Sequence, residues 1–137
     1  MVELDDARTY IRAHHHAVMA TRRRDDGLQM SPVVCTVDDD GLVVVSSRET
    51  AIKVKNLRRD PTVSLCVLSD GFYGDWVQVD GRAEIVSLPE AMAGLVDYYR
   101  SISGEHPDWG EYRAVMAQER RVLVRIAPTR AGPDRAG

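Results

Sequence analysis

Two lysines lie close together at positions 53 and 55, and every other basic residue of the chain is an arginine. The surrounding segment, residues 50–60, favours a short helix, because Thr50 can cap its start and Pro61 disfavours the α region for the residue before it. Lys53 then falls in the first turn, where the helix dipole opposes a cation by a few tenths to about 1 kcal/mol. Free N–H groups in that turn and the lysine would together bind an anion such as a phosphate. Lys53 can therefore be either a residue that binds a phosphate or an ordinary surface lysine.

Histidines and cysteines, the usual ligands of transition metals, are present but are not arranged for a metal site. His14, His15 and His16 are consecutive, so their side chains point in different directions on a helix or a strand. A closed metal site needs three or four convergent ligands, and Cys35 and Cys66 lie in apolar runs without ligand spacing. We therefore expect no bound metal, a solvent-exposed histidine run and two buried free thiols.

The sequence contains no motif for catalysis by the protein's own side chains. Ser46 and Ser47 lack the G-x-S-x-G context of a nucleophilic serine. The chain has neither a phosphate-binding P-loop nor a glycine-rich dinucleotide loop. We identify no catalytic acid, base or nucleophile. If the protein is an enzyme, a bound cofactor would carry the chemistry, and the protein would orient that cofactor and exclude water.

Trp76 follows a glycine-containing loop and stands at the start of the predicted fifth strand. An aromatic residue at the end of a strand can simply cover the end of a barrel core. It can also form a wall against a flat ring system, such as that of a redox cofactor. The sequence by itself favours neither interpretation.

The composition limits the class of protein. With 137 residues, of which 44% are hydrophobic and 28% charged, the chain fits one globular domain. A net charge of -3 argues against a general nucleic-acid-binding protein, which is normally basic. Acidic residues precede the first apolar run, and no run approaches the ~20 residues of a membrane span. We therefore expect a cytoplasmic protein with neither nucleic-acid nor membrane partners.

The elements that must position these residues can be predicted from the hydrophobic pattern. We expect strands at residues 16–21, 28–38, 42–46, 62–68, 76–86 and 121–126, and helices at residues 5–15, 50–60, 87–103 and 107–118. Tight turns such as Asp26-Gly27 join consecutive strands. This order favours an antiparallel sheet that closes on itself and so removes its edges.

Local signals add detail to this scheme. Gly81 inside a strand predicts a bulge or a close backbone approach. Ser87 and Glu90 have the spacing of a capping box at the start of the third helix. Together the elements predict a mainly β protein with flanking helices, in which residues 1–128 form one domain and residues 129–137 a short flexible tail.

Several ordered motifs resemble those of one known superfamily. Its members are the flavin and deazaflavin oxidoreductases of the pyridoxamine 5'-phosphate oxidase-like type, whose fold is a six-stranded antiparallel split β-barrel, the FMN-binding split barrel. The resemblance covers residues 5–128 and rests on Ala17-Val18-Met19-Ala20-Thr21, Gln29-Met30-Ser31-Pro32-Val33, Lys53-Val54-Lys55-Asn56-Leu57-Arg58-Arg59-Asp60-Pro61 and Gly81-Arg82-Ala83. A second set is similar to the actinobacterial branch that uses the deazaflavin coenzyme F420: Tyr98-Tyr99-Arg100, Gly104-Glu105-His106-Pro107-Asp108-Trp109, Glu111-Tyr112-Arg113 and Arg120-Arg121-Val122-Leu123.

The resemblance implies an oxidoreductase that binds coenzyme F420 and transfers a hydride from the reduced deazaflavin to a conjugated organic acceptor. It also implies a homodimer with two equivalent sites at the subunit interface, and a small-molecule electron acceptor as the other partner. Two alternatives stay open: an FMN-dependent flavoprotein of the same fold, and a protein that binds F420 without catalysis. Residues 129–133 lack the arginine-containing signature of pyridoxamine-phosphate oxidases, so oxidation of pyridoxamine phosphate is not expected.

The same resemblance implies which residues contact the cofactor. Lys53 corresponds to the family lysine that holds the cofactor phosphate, and Asn56, one turn later, would support the cofactor tail or the helix cap. Many relatives have an arginine two residues before this lysine, where this chain has Ala51. Either one anchor for the phosphate or the polyglutamate tail is missing here, or Arg48 or Lys55 replaces it. The remaining cofactor-binding residues implied for the phosphate and the ring are Gln29, Met30, Ser31, Pro32, Ser46, Ser47, Thr50 and Trp76.

Overall fold

The computed structural model of the chain describes residues 2–132. Within those residues the chain forms four α-helices and six β-strands. In chain order the elements are α1 (Leu4–Ala13), β1 (His16–Arg22), β2 (Leu28–Val37), β3 (Val43–Arg48), α2 (Ile52–Arg59), β4 (Thr62–Leu68), β5 (Trp76–Val86), α3 (Met92–Ser103), α4 (Trp109–Gln118) and β6 (Arg121–Ala131). The predicted bounds of β1, β2, β4 and β5 agree with these to within one residue.

The strands form one closed antiparallel barrel in the order β1-β2-β3-β6-β5-β4. This confirms the predicted fold class, a mainly β protein with flanking helices and a six-stranded antiparallel barrel. Side chains alternate between the two faces of each strand. In β2, Val33 and Cys35 are buried, whereas Pro32 and Val34 are exposed on the outer face. The barrel therefore separates a packed interior from an outer face that other molecules can reach.

Aliphatic side chains fill the interior of the barrel. Ile11 of α1 and Leu57 of α2 are buried in the same cluster, so both helices are fastened to the barrel by its core. Full burial of one such side chain contributes about 1.5–3 kcal/mol relative to leaving it exposed. The barrel interior is consequently a hydrophobic core and does not form the ligand site.

A second cluster fastens α3 and α4 to the outside of the barrel. Leu95 of α3 and Met116 of α4 pack with Val44 of β3 and Leu123 of β6. The hydroxyl of Tyr112 in α4 donates a hydrogen bond of 2.8 Å to the Leu95 carbonyl, which joins the two helices. This packing fixes the tyrosines of α3 and α4 beside the outer ends of β2 and β3.

Two predicted helix starts are wrong, and in both cases a turn precedes the helix. Thr50 does not cap α2: the N-cap is Ala51, whose N–H donates to the Arg48 carbonyl at 3.0 Å and so closes a turn that contains Thr50. Ser87 likewise does not cap α3, which begins at Met92. The Ser87 hydroxyl instead accepts a hydrogen bond of 3.1 Å from Arg58.

β6 is longer than predicted, and the bulge at Gly81 is confirmed. The strand continues past its expected end at Ile126 to Ala131, which pairs with Val79 of β5. The register shifts between Asp80 and Gly81. The last part of the predicted tail, residues 133–137, lies outside the described residues. No helix within residues 2–132 combines the length and apolar character needed to cross a membrane.

Candidate functional site

A groove of ≈ 1000 Å³ lies on the outside of the barrel. Its floor is formed by the outer ends of β1, β2 and β3, and its sides by the start of α2 and by α3 and α4. One end is rich in cationic and hydroxyl groups, and the remainder is mainly apolar and aromatic. A molecule with a charged tail and a flat apolar body fits such a division of surfaces.

The cationic end brings Arg48, Lys53 and Arg121 to one place. Arg48 and Arg121 face each other as paired residues of β3 and β6. Burial lowers the pKa of Lys53 below its ordinary value, and the positive charge of Arg121 lowers it further. A bound anion would reverse the second effect, so these three side chains form a site that favours an anionic group.

The start of α2 strengthens the anion site. Its N-cap residue, Ala51, provides no side-chain hydrogen bond to the first turn, and that turn contains no acidic residue. N–H groups at a helix start carry a partial positive charge and lack partners within the helix. Lys53 therefore stands beside an uncapped helix start that an anion can satisfy. Among the residues that the structure describes, Lys53 takes part in no ion pair.

Glu119, the C-cap residue of α4, holds the two arginines of this end. Arg121 Nε donates a hydrogen bond of 2.9 Å to its carboxylate, and Arg48 Nη2 lies 3.7 Å from the other carboxylate oxygen. The hydrogen bond from Arg121 is the main reason that the pKa of Glu119 lies below its ordinary value. Glu119 thus neutralises part of the charge of Arg48 and Arg121, but not that of Lys53.

Tyrosines form the wall at the other side of the groove. The Tyr98 hydroxyl donates a hydrogen bond of 2.7 Å to the Val34 carbonyl on β2. Burial raises the pKa of Tyr98 to about 12, so this hydroxyl stays protonated at neutral pH. Tyr99 packs against Tyr112 with ring centroids 5.1 Å apart. The wall is therefore rigid and aromatic, which suits contact with a flat ring.

A family model described as pyridoxamine 5'-phosphate oxidase matches residues 4–132, which is most of the chain. The chain belongs to the pyridoxamine 5'-phosphate oxidase family. Flavin-type cofactors bind to this fold, and its enzymes are oxidoreductase-like. The groove fits such a cofactor, because a phosphate can occupy the uncapped start of α2 beside Lys53 while a ring lies along the tyrosine wall.

Solved structures show the same fold. The conserved hypothetical protein Rv2991 from Mycobacterium tuberculosis matches with a TM-score of 0.78 and 25% identity, over 96% of this chain and 83% of that protein. A protein named F420 reductase matches with a TM-score of 0.65 and 21% identity, over 86% of this chain and 89% of its own. A heme-binding protein from Mycobacterium smegmatis matches with a TM-score of 0.71 and 17% identity, over 96% of this chain and 54% of its own.

The structure brings six of the predicted cofactor-binding residues of this family member into the groove. They are Pro32, Ser46, Ser47, Arg48, Thr50 and Lys53. Lys55 is exposed on α2 and does not line the groove, so Arg48 is the side chain that can replace the arginine missing at Ala51. The other five predicted residues lie elsewhere.

Gln29 and Asn56 belong to a hydrogen-bonded chain that joins the buried Thr21 and Asn56 to the partly buried Gln29. Asn56 is only 5% exposed, and its Nδ2 donates a hydrogen bond of 3.1 Å to the Thr21 hydroxyl. That hydroxyl lies 3.4 Å from the amide oxygen of Gln29, and Arg59 donates to the Asn56 amide oxygen at 3.2 Å. Asn56, predicted to support the cofactor tail or the helix cap, is thus buried in hydrogen bonds with Thr21 and Arg59 and does not line the groove.

Met30, Ser31 and Trp76 also lie outside the groove. Met30 is 63% exposed and lines a second, apolar depression of ≈ 510 Å³ on the outer face of β1, β2 and β4. Ser31 has its hydroxyl oxygen buried, without a hydrogen-bond partner among the described residues. Trp76 pairs with Leu68 where β5 meets β4, and it is partly buried. Only Leu68 of that pair lines the groove.

The three histidines diverge, as predicted. The His14 ring stacks on Tyr10 with centroids 4.1 Å apart, and His15 Nδ1 makes a hydrogen bond of 2.8 Å with the Cys35 carbonyl. His16 lines the groove. Within residues 2–132 no cluster of three or more His, Cys, Asp or Glu side chains is arranged to hold a metal ion.

Sequence reasoning did not assign Arg121, Glu119 or the tyrosine wall to the site, although Arg121 and the tyrosines stand in motifs that carry the resemblance. Arg121 reaches the groove because β6 pairs with β3 in a register that places it opposite Arg48. These two strands are far apart in the sequence, and their local patterns contain no signal of that register. The available signal was the arginine at the first position of the last apolar run, which stands out from the aliphatic residues after it.

Proposed function

We propose that the chain is a cytoplasmic F420-dependent reductase of the actinobacterial branch, which reduces a conjugated organic acceptor. The observation that carries this proposal is Lys53 at the uncapped start of α2, with Arg48 and Arg121 beside it in the same groove. Lys53 and the first-turn N–H groups of α2 already provide for one phosphate, so Arg48 and Arg121, whose charge Glu119 offsets only in part, remain for a further anionic group. The polyglutamate tail of F420 would provide further carboxylates for the arginines, whereas FMN ends in its phosphate. This difference favours F420 over FMN.

The residues of the groove would divide the work of binding. Lys53 and the first-turn N–H groups of α2 would hold the phosphate, with the hydroxyls of Ser47 and Thr50 nearby. The ring would lie along Pro32 and the tyrosine wall, where the hydrogen bond from Tyr98 to β2 keeps the wall in place. When bound, the reduced deazaflavin would supply the hydride. The proton for the acceptor would come from solvent.

A second copy of the chain would complete the site. Large apolar side chains are exposed beside the groove: Leu28, Met30 and Phe72 line the apolar depression, which shares Val18 and Leu68 with the groove. Exposed apolar side chains gathered at one depression are typical of a protein–protein contact surface. We propose that a homodimer buries this face and closes both grooves. Sedimentation or light scattering tests it: a wild-type dimer that becomes a monomer on Met30→Glu supports the homodimer, and a monomeric wild type refutes it.

Titration of the protein with oxidised F420 and with FMN tests the cofactor, with cofactor fluorescence as the signal. We expect F420 to bind, and Lys53→Ala to weaken binding at least about tenfold, since a charge-assisted contact to phosphate contributes about 1.5–3 kcal/mol. Lys55→Ala is the matched control and should bind like the wild type, because Lys55 lies outside the groove. Tight FMN binding without F420 binding would refute the choice of cofactor.

Turnover separates an enzyme from a protein that only binds F420. Reduced F420 is mixed with quinone, enone and tetrapyrrole acceptors, and its reoxidation is followed by absorbance. Faster reoxidation with at least one acceptor, and loss of that rate in Lys53→Ala, supports a reductase. Binding of F420 without turnover across the panel would instead support a non-catalytic F420-binding protein.

A further inference from the structure

Glu119 contacts both arginines at the cationic end of the groove, and among the residues that the structure describes it is the one carboxylate that does so. Its contacts to Arg121 at 2.9 Å and to Arg48 at 3.7 Å involve both carboxylate oxygens. Arg48 and Arg121 line the groove themselves. A carboxylate of the chain itself therefore contacts two of the three cations that a ligand would use. Lys53 has no such contact among the described residues.

The helix alone does not favour a carboxylate at this position. The C=O groups at the end of a helix carry a partial negative charge, which opposes an anion there. The last turn of α4 contains no basic residue that would offset this effect. Even so, the pKa of Glu119 is lowered, first by the hydrogen bond from Arg121 and also by the charges of Arg121 and Arg48. The two arginines therefore stabilise this carboxylate.

We propose that Glu119 is a specificity-determining residue: it competes with the ligand for Arg48 and Arg121, so only a second anionic group on the ligand displaces it. The inference rests on the proposed function in one respect, which is that the ligand's first anionic group binds at Lys53. A ligand with a single phosphoryl group binds there without disturbing Glu119. A ligand with a further carboxylate or phosphoryl group must compete with a carboxylate of the same chain, whose effective concentration is high.

This competition weakens the binding of a ligand with a second anionic group but does not prevent it. The side chain of Arg48 is 59% exposed and that of Arg121 is 25% exposed, so water and salt screen both contacts to Glu119. A second anionic group can therefore take the place of the carboxylate.

Calorimetric binding of two simple probes tests the inference in the wild type and in Glu119→Gln. Inorganic phosphate carries one anionic group, and tripolyphosphate carries several along one chain. We expect the substitution to raise the affinity for tripolyphosphate about three- to tenfold, as for the loss of exposed ion pairs, and to change the affinity for phosphate less than about twofold. Glu111→Gln removes the same charge from the first turn of α4 and is the matched control; its affinities should equal those of the wild type.

Two results for Glu119→Gln would overturn the inference. An unchanged affinity for tripolyphosphate means that Glu119 does not compete with the ligand, and a reduced affinity means that Glu119 positions the arginines for it. Glu119→Asp provides a second variant: it retains the charge but shortens the reach, so a smaller gain than that of Glu119→Gln supports competition and a loss refutes it. Lys53→Ala separates the two proposals. Undiminished phosphate binding by Lys53→Ala contradicts the proposed function. An unchanged affinity of Glu119→Gln for tripolyphosphate contradicts this inference alone.

Discussion

Asn56→Leu distinguishes a structural role of Asn56 from a role in binding the cofactor. The side chain is almost fully buried, and it links the Thr21 hydroxyl to the guanidinium of Arg59. Leucine has a similar volume but no hydrogen-bonding group. The substitution therefore removes both hydrogen bonds while it keeps the interior filled, and it leaves the groove untouched.

The expected loss of stability follows from these two bonds. A buried hydrogen bond contributes about 1 kcal/mol net, and a bond to a charged group about 1.5–3 kcal/mol before allowance for the exposure of the Arg59 side chain. We expect the free energy of unfolding to fall by about 2–3 kcal/mol. For a domain of this size the thermal midpoint should fall by about 6–10 °C.

Urea denaturation followed by circular dichroism measures the change in stability, and titration with F420 measures the change in affinity. Lys55→Leu places the same residue at an exposed position of the same helix, and its stability should stay within about 0.5 kcal/mol of the wild type. In the double variant Thr21→Val/Asn56→Leu both partners are apolar, so part of the lost stability should return. Wild-type stability combined with weakened F420 binding in Asn56→Leu would refute the placement of Asn56 in the barrel interior.

Two further predictions concern the anion site and the barrel. The affinity of the groove for F420 should fall as pH rises through the pKa of Lys53, because only the protonated amine binds an anion. This pKa lies below the 10.5 of an ordinary lysine, so the fall should come at a lower pH. Lys53→Arg should remove the fall in titrations from about pH 7 to about pH 10. Gly81→Ala would place a Cβ 2.5 Å from the Ala127 carbonyl oxygen, so we expect about 1–3 kcal/mol of destabilisation in urea, and almost none for Gly71→Ala, where a Cβ meets nothing within 4 Å.

The sequence was sufficient to predict the fold class and most strand bounds. β4 and β5 were predictable because Pro61 ends the helix before β4 and a glycine-containing loop separates the two strands. Each strand also alternates between buried and exposed residues over most of its length. These are local signals, and local rules of turn chemistry and periodicity are enough to interpret them.

The parts of the site that depend on distant pairing could not be predicted in the same way. Arg121 faces Arg48 only because β6 closes the barrel against β3. Helical spacing placed Asn56 near the face of Lys53, but the boundary between the groove and the core passes between them. Ser87 had the correct spacing for a cap, yet its hydroxyl contacts Arg58 on another helix. In each case a contact made by the folded chain decided between alternatives that were locally equal.

The alternation of side chains along β2 has a consequence for how this protein can change over time. Pro32 and Val34 are exposed on the side of the groove. Val33 and Cys35, the residues that follow each of them, are buried in the core. A mutation at an outward position alters what the groove recognises at little cost to folding, and a mutation at an inward position does the reverse. The lining of the groove and the stability of the barrel can thus be selected separately on one strand, so the outer face can change while the core is kept.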